Sequence, residues 1–538
     1  MRKNSRTSSM RVIAPVLSVL GTAVLVACGG GSGDADVTFD PNALVVQKTT
    51  TCAPGDNPEP ALQGQVPAAL RQTGFKGFNC NLQLVGRYEG EGGSWSSATV
   101  TDNAGRTCTY QATAAPVRAN GVPTGRTQPG VPVVDITNPS APVRTTSLTT
   151  VAMLGPWESL RANAARKLLV ADNAWNGSGG PEIDVYDLSS DCRFPQLLAS
   201  VPVGTGLDGG ITTPVPARGH EGNISPDGLT YWIGDRGNQN YIAVDIVNPN
   251  KPRAIARWDL ATLGLTNAVI HGISISADGK RGYASVAYIP RSLGEVADPN
   301  APLKNGFIVL DTSEVQARKP NAQIRLVSTV LYKDGAQSQH QLPIKVKGRP
   351  YVVQVDEAGS AGLSESPQVR AACDAGLTPF PLARIYDLQD ETRPQIVSKL
   401  GLETHDPKNC DKVLPDIVGL STFTYGSHYC SVDNRENATV MACSYFNSGI
   451  RVFDIRNPFR PKEIAYYNPA PSSAKPGSDH ALRGQWRASG PDWCASRVDF
   501  DFQKRSLVTH CQDTGVLVLR FGEGMWPFPE STPGGNES

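Results

Sequence analysis

The chain alternates short apolar runs with polar turns along most of its length. From His428 to Pro461 it reads HYCSVDNRENATVMACSYFNSGIRVFDIRNPFRP, three strand-like runs separated by short polar turns. Alternation of apolar and polar positions is typical of half-buried β-strands, and helical periodicity is weak elsewhere in the chain. The pattern therefore predicts an all-β protein.

The same order of runs recurs as a repeat. Its clearest marker is the third run of each unit, which ends in an aspartate in six of seven copies: PVVDI at 132–136, DVYDL at 184–188, AVDI at 243–246, IVLD at 308–311, RIYDL at 384–388, RVFDI at 451–455 and, without aspartate, VLVLR at 516–520. Proline-containing turns follow most of them, and a fourth run comes next. Each unit is predicted to be one four-stranded antiparallel propeller blade, with the aspartate bonding backbone amides of the turn.

Seven units open near Ser96, Trp157, His220, His271, His340, His428 and Trp493. The seventh unit ends at Phe521 without a fourth run, whereas NLQLVGRYEG, from Asn81 to Gly90, has fourth-strand character and precedes the first unit. We therefore expect a seven-bladed β-propeller of four-stranded antiparallel blades, closed by this N-terminal strand, which removes the open edges of the ring.

The aspartate-proline turns, of the form D-[IL]-x-x-P-x-x-P, follow strands of the form [VI]-x-[VFY]-D. They resemble LVIVD-repeat propellers, and HGISISADGKRGYASVA at 271–287 resembles the wider group of YVTN-like repeats. The resemblance covers nearly all of residues 80–522. It implies a fold and leaves the activity open, since the matching residues build turns and strand pairs.

The start of the chain has the layout of a secretory signal, with four basic residues ahead of an apolar stretch from Val12 to Val26. It ends Leu25-Val26-Ala27-Cys28, which resembles a bacterial lipobox whose Cys28 is lipidated, and Gly29 favours an outer-membrane destination. An ordinary signal peptide is the alternative. The predicted organisation is a lipoprotein signal peptide at 1–27, a lipid-anchored tether and N-terminal extension at 28–79, the propeller at 80–522 and a flexible tail at 523–538.

Charge and cysteine content narrow the class of partner. Without the signal, the chain has 46 basic and 50 acidic residues and is therefore slightly acidic. Nucleic acid is not an expected partner of such a chain. Ten cysteines remain besides Cys28, an even number in an exported protein, where disulfides persist. No CxxC spacing occurs, which disfavours a cysteine metal site.

Three disulfides are predicted. Aligning units six and seven places Cys430 and Cys443 at the same repeat positions as Cys494 and Cys511, so each pair should face across a hairpin. Cys373 and Cys410 lie in long irregular segments around unit five and are expected to join them. The pairing of Cys52, Cys80, Cys108 and Cys192 stays undecided.

The histidines fall on one predicted face. His220, His271, His340 and His428 each stand at the start of an innermost strand in four consecutive blades, so their side chains can converge on the mouth of the central channel. Two readings compete. In the first, each histidine forms hydrogen bonds with neighbouring backbone and packs in the channel. In the second, several of them bind a transition metal, for which imidazole is a suitable ligand.

The same face collects the long insertions, at about 288–305, 357–382, 403–426 and 469–492, and further polar residues. Carboxylates near the histidines can act as outer ligands or a general base, or can form a solvated rim. The residues expected around the channel mouth are Glu158, Glu221, Asp235, Arg236, Asp356, Glu357 and Trp175. Trp486, Arg487 and Trp493 resemble a stacking platform for a sugar or aromatic ligand, and the alternative is that the tryptophans wedge neighbouring blades together.

Three functions remain open, and the sequence leaves undecided whether the protein is an enzyme. The first is a binding or scaffold module anchored to the membrane by lipid, which holds a protein or small-molecule ligand on its long-loop face. The second is a metal-dependent envelope oxidoreductase built on the four channel histidines. The third is a lactonase-like hydrolase, which needs carboxylates and asparagines at the channel. No GxSxG, Walker, HExxH, CxxCH or EF-hand motif is present.

Overall fold

The computed structural model describes residues 43–70, 75–93, 95–112, 127–173, 181–203, 217–362, 366–417, 423–470 and 492–534. Several predictions fall outside these residues, namely the signal, the lipidation site Cys28, Trp175, Trp486 and Arg487. No helix in the described part is long and apolar enough to cross a membrane.

The ring begins with two N-terminal strands, β1 (Gly77–Cys80) and β2 (Leu82–Tyr88). Blade one contains β3 (Ser97–Thr101), β4 (Thr107–Gln111), β5 (Val131–Asp135) and β6 (Val143–Leu148). Blade two contains β7 (Arg161–Asn163), β8 (Leu168–Asp172), β9 (Ile183–Asp187) and β10 (Gln196–Val201). Blade three contains β11 (Gly222–Ile224), β12 (Thr230–Asp235), β13 (Asn240–Asp245) and β14 (Arg253–Asp259).

Blade four contains β15 (Ile273–Ile275), β16 (Arg281–Val286), β17 (Asn305–Asp311) and β18 (Arg325–Tyr332). Blade five contains β19 (Ala336–Val346), β20 (Arg349–Ala358), β21 (Ala383–Asp387) and β22 (Gln395–Leu400). Blade six contains β23 (Ser427–Val432), β24 (Val440–Tyr445), β25 (Gly449–Asp454) and β26 (Lys462–Pro469). Blade seven contains β27 (Asp499–Asp501), β28 (Ser506–Cys511) and β29 (Gly515–Phe521). The strands pair antiparallel throughout, which confirms the predicted seven-bladed propeller.

The ring closes as predicted. β2 pairs antiparallel with β29, from Leu82 opposite Phe521 to Tyr88 opposite Val516, and so supplies the fourth strand of blade seven. β1, which the sequence did not predict, pairs with β26 and adds a fifth strand to blade six. Both N-terminal strands therefore pair with strands of the last two blades.

The repeated aspartate has the structural role expected of it. Asp135 accepts a hydrogen bond from the amide of Thr137 at 2.8 Å, and Asp245 accepts one from Val247 at 3.0 Å. The same bond, from an aspartate to the amide two residues on, recurs after the third strands of blades two, four, five and six. Apolar side chains pack between neighbouring blades to form the core.

Five disulfides hold the fold, and all three predicted pairs are present: Cys430–Cys443, Cys494–Cys511 and Cys373–Cys410. Cys430 and Cys443 lie directly opposite each other on β23 and β24, and Cys494 forms an isolated antiparallel bridge with Cys511 of β28, so both pairs face each other as the repeat alignment predicted. The remaining pairs are Cys52–Cys80 and Cys108–Cys192. Five disulfides are typical of an oxidising, exported compartment.

Short helices lie in the connections: α1 (Val151–Leu154), α2 (Leu293–Ala297), α3 (Ser313–Gln316), α4 (Ser366–Asp374) and α5 (Cys410–Ile417), with 3₁₀ turns at Ala68–Leu70, Leu260–Leu263, Glu403–His405 and Pro407–Asn409. α2, α4 and α5 lie in three of the predicted long insertions, and α4 packs against both α2 and α5. Part of the segment predicted as a flexible tail packs on the propeller, where Trp526 is buried against Phe521 and Phe500.

Candidate metal centre at the propeller axis

Side chains from six blades meet at the centre of the ring. Glu158 of blade two lies 3.7 Å from His428 of blade six, a contact across the ring that is possible only at its axis. Both side chains are fully buried. The residues that meet there are Glu158 before β7, His220 and Glu221 before β11, His271 before β15, Gln339, His340 and Glu357 in β19 and β20, His428 and Tyr429 in β23, and Arg497 before β27.

Two β-bulges direct extra side chains to the axis. β19 has one residue more than β20, Gln339, and β23 has one more than β24, His428. Successive side chains of a regular strand point to opposite faces, and a bulge breaks this alternation. Gln339 and His340 therefore both reach axial groups, and so do His428 and Tyr429.

Three donors form what we call the first donor group: Glu158, His220 and His271, whose ligand atoms all lie within 4.8 Å of one another. The Nε2 atoms of His220 and His271 are 3.0 Å apart, and His271 Nε2 lies 3.5 Å from Glu158 Oε2. Two ligands on one ion with bonds of about 2.1 Å are separated by roughly 3 to 4 Å. These spacings fit a common ion.

Three donors form the second donor group: Glu158, Glu357 and His428. His428 Nε2 lies 3.7 Å from Glu158 Oε1 and 3.6 Å from Glu357 Oε1. The two groups share Glu158, and together we call them the axial cluster. Imidazole and carboxylate donors in combination suit first-row transition metals such as iron, manganese, zinc and copper.

Hydrogen bonds on the far side of two rings leave their Nε2 atoms for the cluster. His271 Nδ1 donates to Glu221 Oε2 at 3.2 Å, and His428 Nδ1 donates to the carbonyl oxygen of Ala495. A metal-binding histidine is typically held by such a bond, which fixes the tautomer and the ring orientation. His271 and His428 thus each have Nδ1 held by a hydrogen bond and Nε2 directed at the cluster, an arrangement that is compatible with metal binding.

Glu221 holds a layer of side chains that lies next to the first donor group. It also accepts from His340 Nδ1 at 3.2 Å, Arg161 Nη2 at 2.9 Å and Arg497 Nη2 at 3.1 Å. Burial raises the pKa of Glu221, but the bonds from His271 and His340 and the Arg161 charge outweigh burial and lower it to about 2. The lowered pKa favours the charged form of Glu221, which orients its neighbours through these hydrogen bonds.

Glycine makes room for this carboxylate. A Cβ on Gly272 would overlap the Glu221 side chain, so residue 272 next to His271 has to lack a side chain for Glu221 to reach its position. The Tyr429 hydroxyl lies above this layer and donates to Glu158 Oε2 at 3.1 Å.

The pKa values in the axial cluster diverge. Burial raises the pKa of Glu158, with the Glu357 charge adding to the effect, and burial lowers the pKa of His220 well below its usual value, helped by the neighbouring His271 and Arg236. Burial also lowers the pKa of His271, but Glu158 and Glu221 outweigh it and raise this pKa to about 9. The buried carboxylates of Glu158 and Glu357 thus depend on nearby positive charge, which a bound cation also supplies.

An aromatic layer covers the cluster. Trp95 and Phe446 lie 5.2 and 5.0 Å from the His428 ring, between ring centres, and they pack with Phe423 and Trp493. Trp157 stacks on Trp95 at 5.2 Å and is only partly buried. Trp493, predicted to belong to a stacking platform, is therefore a buried member of this layer.

The structure brings together most, though not all, of the predicted site residues. His340 is in neither donor group, because its Nδ1 bonds Glu221 and its ring packs edge-on against Tyr429 at 5.2 Å. Arg236 approaches His220 Nε2 at 3.2 Å. Asp235 holds a turn through the amides of Arg218 and Asn238.

Asp356 lies apart from the cluster. It pairs with the buried Arg384 and accepts hydrogen bonds from Tyr332 at 2.7 Å and Asn305 at 3.1 Å. Gln339, Tyr429, Arg161 and Arg497 were not predicted. The first two are sequence neighbours of predicted histidines, and that adjacency was the one available signal.

The fold and its centre define a seven-bladed propeller with a histidine–glutamate cluster at the axis. No family model matches the chain and no curated protein matches it, so the LVIVD family is not confirmed. A putative 6-phosphogluconolactonase from Bacteroides fragilis is similar in structure at a TM-score of 0.42 and 11% identity, over 77% of this chain and 93% of that one.

The periplasmic gluconolactonase of Pseudomonas aeruginosa gives a TM-score of 0.42 at 12% identity, over 69% of this chain and 92% of that one. Hydrazine synthase of Kuenenia stuttgartiensis gives 0.37 at 13%, over 66% and 82%. Similarities of this size concern the propeller architecture and carry no argument about activity.

Proposed function

We propose that this protein is a metal-dependent oxidoreductase of the bacterial envelope, with the axial cluster as its centre. The observation that carries the proposal is the convergence of three imidazole and two carboxylate side chains, from five blades, on one buried point. Buried charges are normally paired or bound to metal. Glu158 Oε1 is buried and has no hydrogen-bond donor among the described residues, which supports a cation at this place.

Burial of the cluster favours electrons or a small molecule as the reactant. The donors are at most 4% exposed, and the aromatic layer lies over them. Trp95 contacts His428, and its stacked partner Trp157 reaches the partly exposed surface. Such a ring pair provides a short route for electrons between the cluster and solvent.

Elemental analysis of the exported, disulfide-bonded protein tests this proposal first. We expect stoichiometric iron, manganese, copper or zinc in the wild type and its loss in Glu158→Gln. Glu463→Gln is the matched control, because Glu463 is a buried carboxylate that pairs with Arg451 away from the axis, at 2.9 Å. Protein that folds and stays metal-free under metal-replete expression contradicts the proposal.

Turnover is the second measurement. Metal-replete protein is mixed with ferrocyanide and hydrogen peroxide, and the ferricyanide formed is followed by absorbance. A rate that disappears in Glu158→Gln and persists in Glu463→Gln supports an oxidoreductase. Bound metal without turnover of this or other small redox couples would point instead to a hydrolytic or structural metal.

A binding or scaffold role is the second candidate. It is supported by the rim of long insertions, where Cys373–Cys410 joins α4 to α5 and the two helices pack together through Val369 and Val413. Long loops on one rim of a propeller scaffold are where ligands usually bind. If Glu158→Gln restores the phenotype of a deletion strain as well as the wild type does, the binding role is favoured over the metal centre.

Anchoring to the outer membrane through Cys28 is part of the same proposal. The disulfides support export, and the lipobox resemblance supports lipidation. Labelled fatty acid should attach to the wild type and be absent from Cys28→Ala, and the variant should appear in the soluble periplasmic fraction.

A further inference from the structure

Glu158 is common to both donor groups, whereas His271 and His428 are in different ones. An ion bound by about 2.1 Å bonds cannot hold ligand atoms more than roughly 4.2 Å apart. The arrangement of the donors in two overlapping groups raises the question of how many ions the cluster holds.

Both carboxylates present one oxygen to each histidine. Glu357 Oε2 lies 3.5 Å from His271 Nε2, and its Oε1 lies 3.6 Å from His428 Nε2. Glu158 repeats the pattern, with Oε2 3.5 Å from His271 and Oε1 3.7 Å from His428. A carboxylate oriented in this way can bridge two cations, with one oxygen on each.

The second donor group has a further oxygen within reach. Gln339 Nε2 lies 2.9 Å from His428 Nε2 and 3.3 Å from Glu158 Oε2. Its Oε1 is buried and has no hydrogen-bond partner in the described part of the chain. The two ends of a glutamine amide exchange by a rotation of 180°, which would direct this oxygen toward the second group.

We propose that the axial cluster is a dinuclear centre for first-row transition-metal ions, bridged by the carboxylates of Glu158 and Glu357. His220 and His271 complete one position, and His428 with Gln339 completes the other. Two-metal centres hold their ions about 3.5–4 Å apart, a spacing that carboxylate bridges of this kind span. This inference rests on the proposed metal-dependent function and specifies its centre.

Cobalt titration of the metal-free, full-length protein tests the number of ions. The exported protein is stripped with a chelator, titrated with Co(II) and dialysed, and bound cobalt is measured by elemental analysis. We expect two ions per chain in the wild type and one in each of His220→Ala and His428→Ala. His405→Asn, a buried histidine away from the axis, should keep two.

Circular dichroism of each metal-free variant confirms that it is folded before titration. The wild-type pair should also have a lower magnetic moment per cobalt than the single ion of His428→Ala, because bridged ions couple. One ion per chain in the wild type, lost in both axial variants, overturns the dinuclear centre and leaves the metal-dependent function standing. A wild type that binds no cobalt overturns both.

Discussion

Two pairs of buried histidines in this molecule differ in what surrounds their nitrogens. His405 Nδ1 accepts from the Leu402 amide and its Nε2 donates to the Tyr425 carbonyl, both at 2.8 Å. His510 is likewise bonded on both sides, to Gln111 and Thr109. At the axis, by contrast, His271 and His428 have one nitrogen fixed by a hydrogen bond and the other directed at carboxylates.

The difference separates a structural histidine from a proposed metal ligand. Burial lowers the pKa of His405 to about 4 and that of His510 to about 3, so both rings stay neutral and complete a hydrogen-bond network. Carboxylates raise the pKa of His271 to about 9 against the effect of burial. The His271 ring therefore lies in an environment that attracts a cation, whereas the two structural rings lie in one that excludes charge.

The largest expected effect is on metal affinity. His271→Ala removes a donor of the first group, and we expect Co(II) affinity at that position to fall on the order of 1000-fold, about 4 kcal/mol. His405→Ala should leave the affinity unchanged. Competition with a chromophoric chelator measures both. Equal losses in the two variants would remove the distinction between the two kinds of histidine.

The free energy of unfolding, unlike the metal affinity, should depend on His405. His405→Ala leaves the Leu402 amide and the Tyr425 carbonyl without their partner and opens a cavity, which is expected to lower the free energy of unfolding by about 3 kcal/mol. Urea unfolding of metal-free protein at pH 7 measures this. A variant as stable as the wild type would show that the two bonds of His405 do not hold the fold.

A smaller effect is expected from the orienting layer. Gly272→Ala displaces the Glu221 carboxylate that holds His271, and loss of such a partner typically lowers metal affinity by about 10- to 100-fold. Gly294→Ala is the control, since a Cβ there meets nothing closer than Ser292 Oγ at 3.8 Å. If Gly272→Ala binds Co(II) as tightly as Gly294→Ala, the position of Glu221 does not govern His271.

The fold was predictable because each repeat carries the same sequence markers of strands and turns. Strands alternate apolar and polar positions, Asp135 and its equivalents mark the turn after each third strand, and a missing last strand required one at Leu82–Tyr88. β1 escaped prediction because four residues, GFNC, carry too little pattern to indicate a strand. The Cys108–Cys192 disulfide was not predicted because its cysteines lie in neighbouring blades. The sequence shows which residues face each other across a hairpin, but not which residues face each other between blades.

The site was predictable in place and less so in detail. A histidine at the start of an innermost strand reaches the axis by topology alone, which placed His220, His271 and His428. His340 has the same sequence position, yet its ring bonds Glu221 and stays outside the donor groups. The orientation of the His340 ring and the β-bulge at Gln339 determine this difference. Neither can be predicted from the alternation of apolar and polar residues.

The smallest expected effect uses pH to compare the same two environments. The pKa of His405 is about 4 in the folded protein against about 6.5 when unfolded, and the charge that faces it is that of Arg451. Between these values the unfolded chain binds the extra proton, so the contribution of His405 is complete above pH 6.5 and is lost as pH falls toward 4. The slope is about 1.4 kcal/mol per pH unit. Urea unfolding of metal-free wild type and His405→Ala at pH 7, 6 and 5 should show their difference shrinking at about this rate below pH 6.5. A difference that stays constant would mean that His405 takes up a proton equally in the folded and unfolded states, and that burial does not keep its ring neutral.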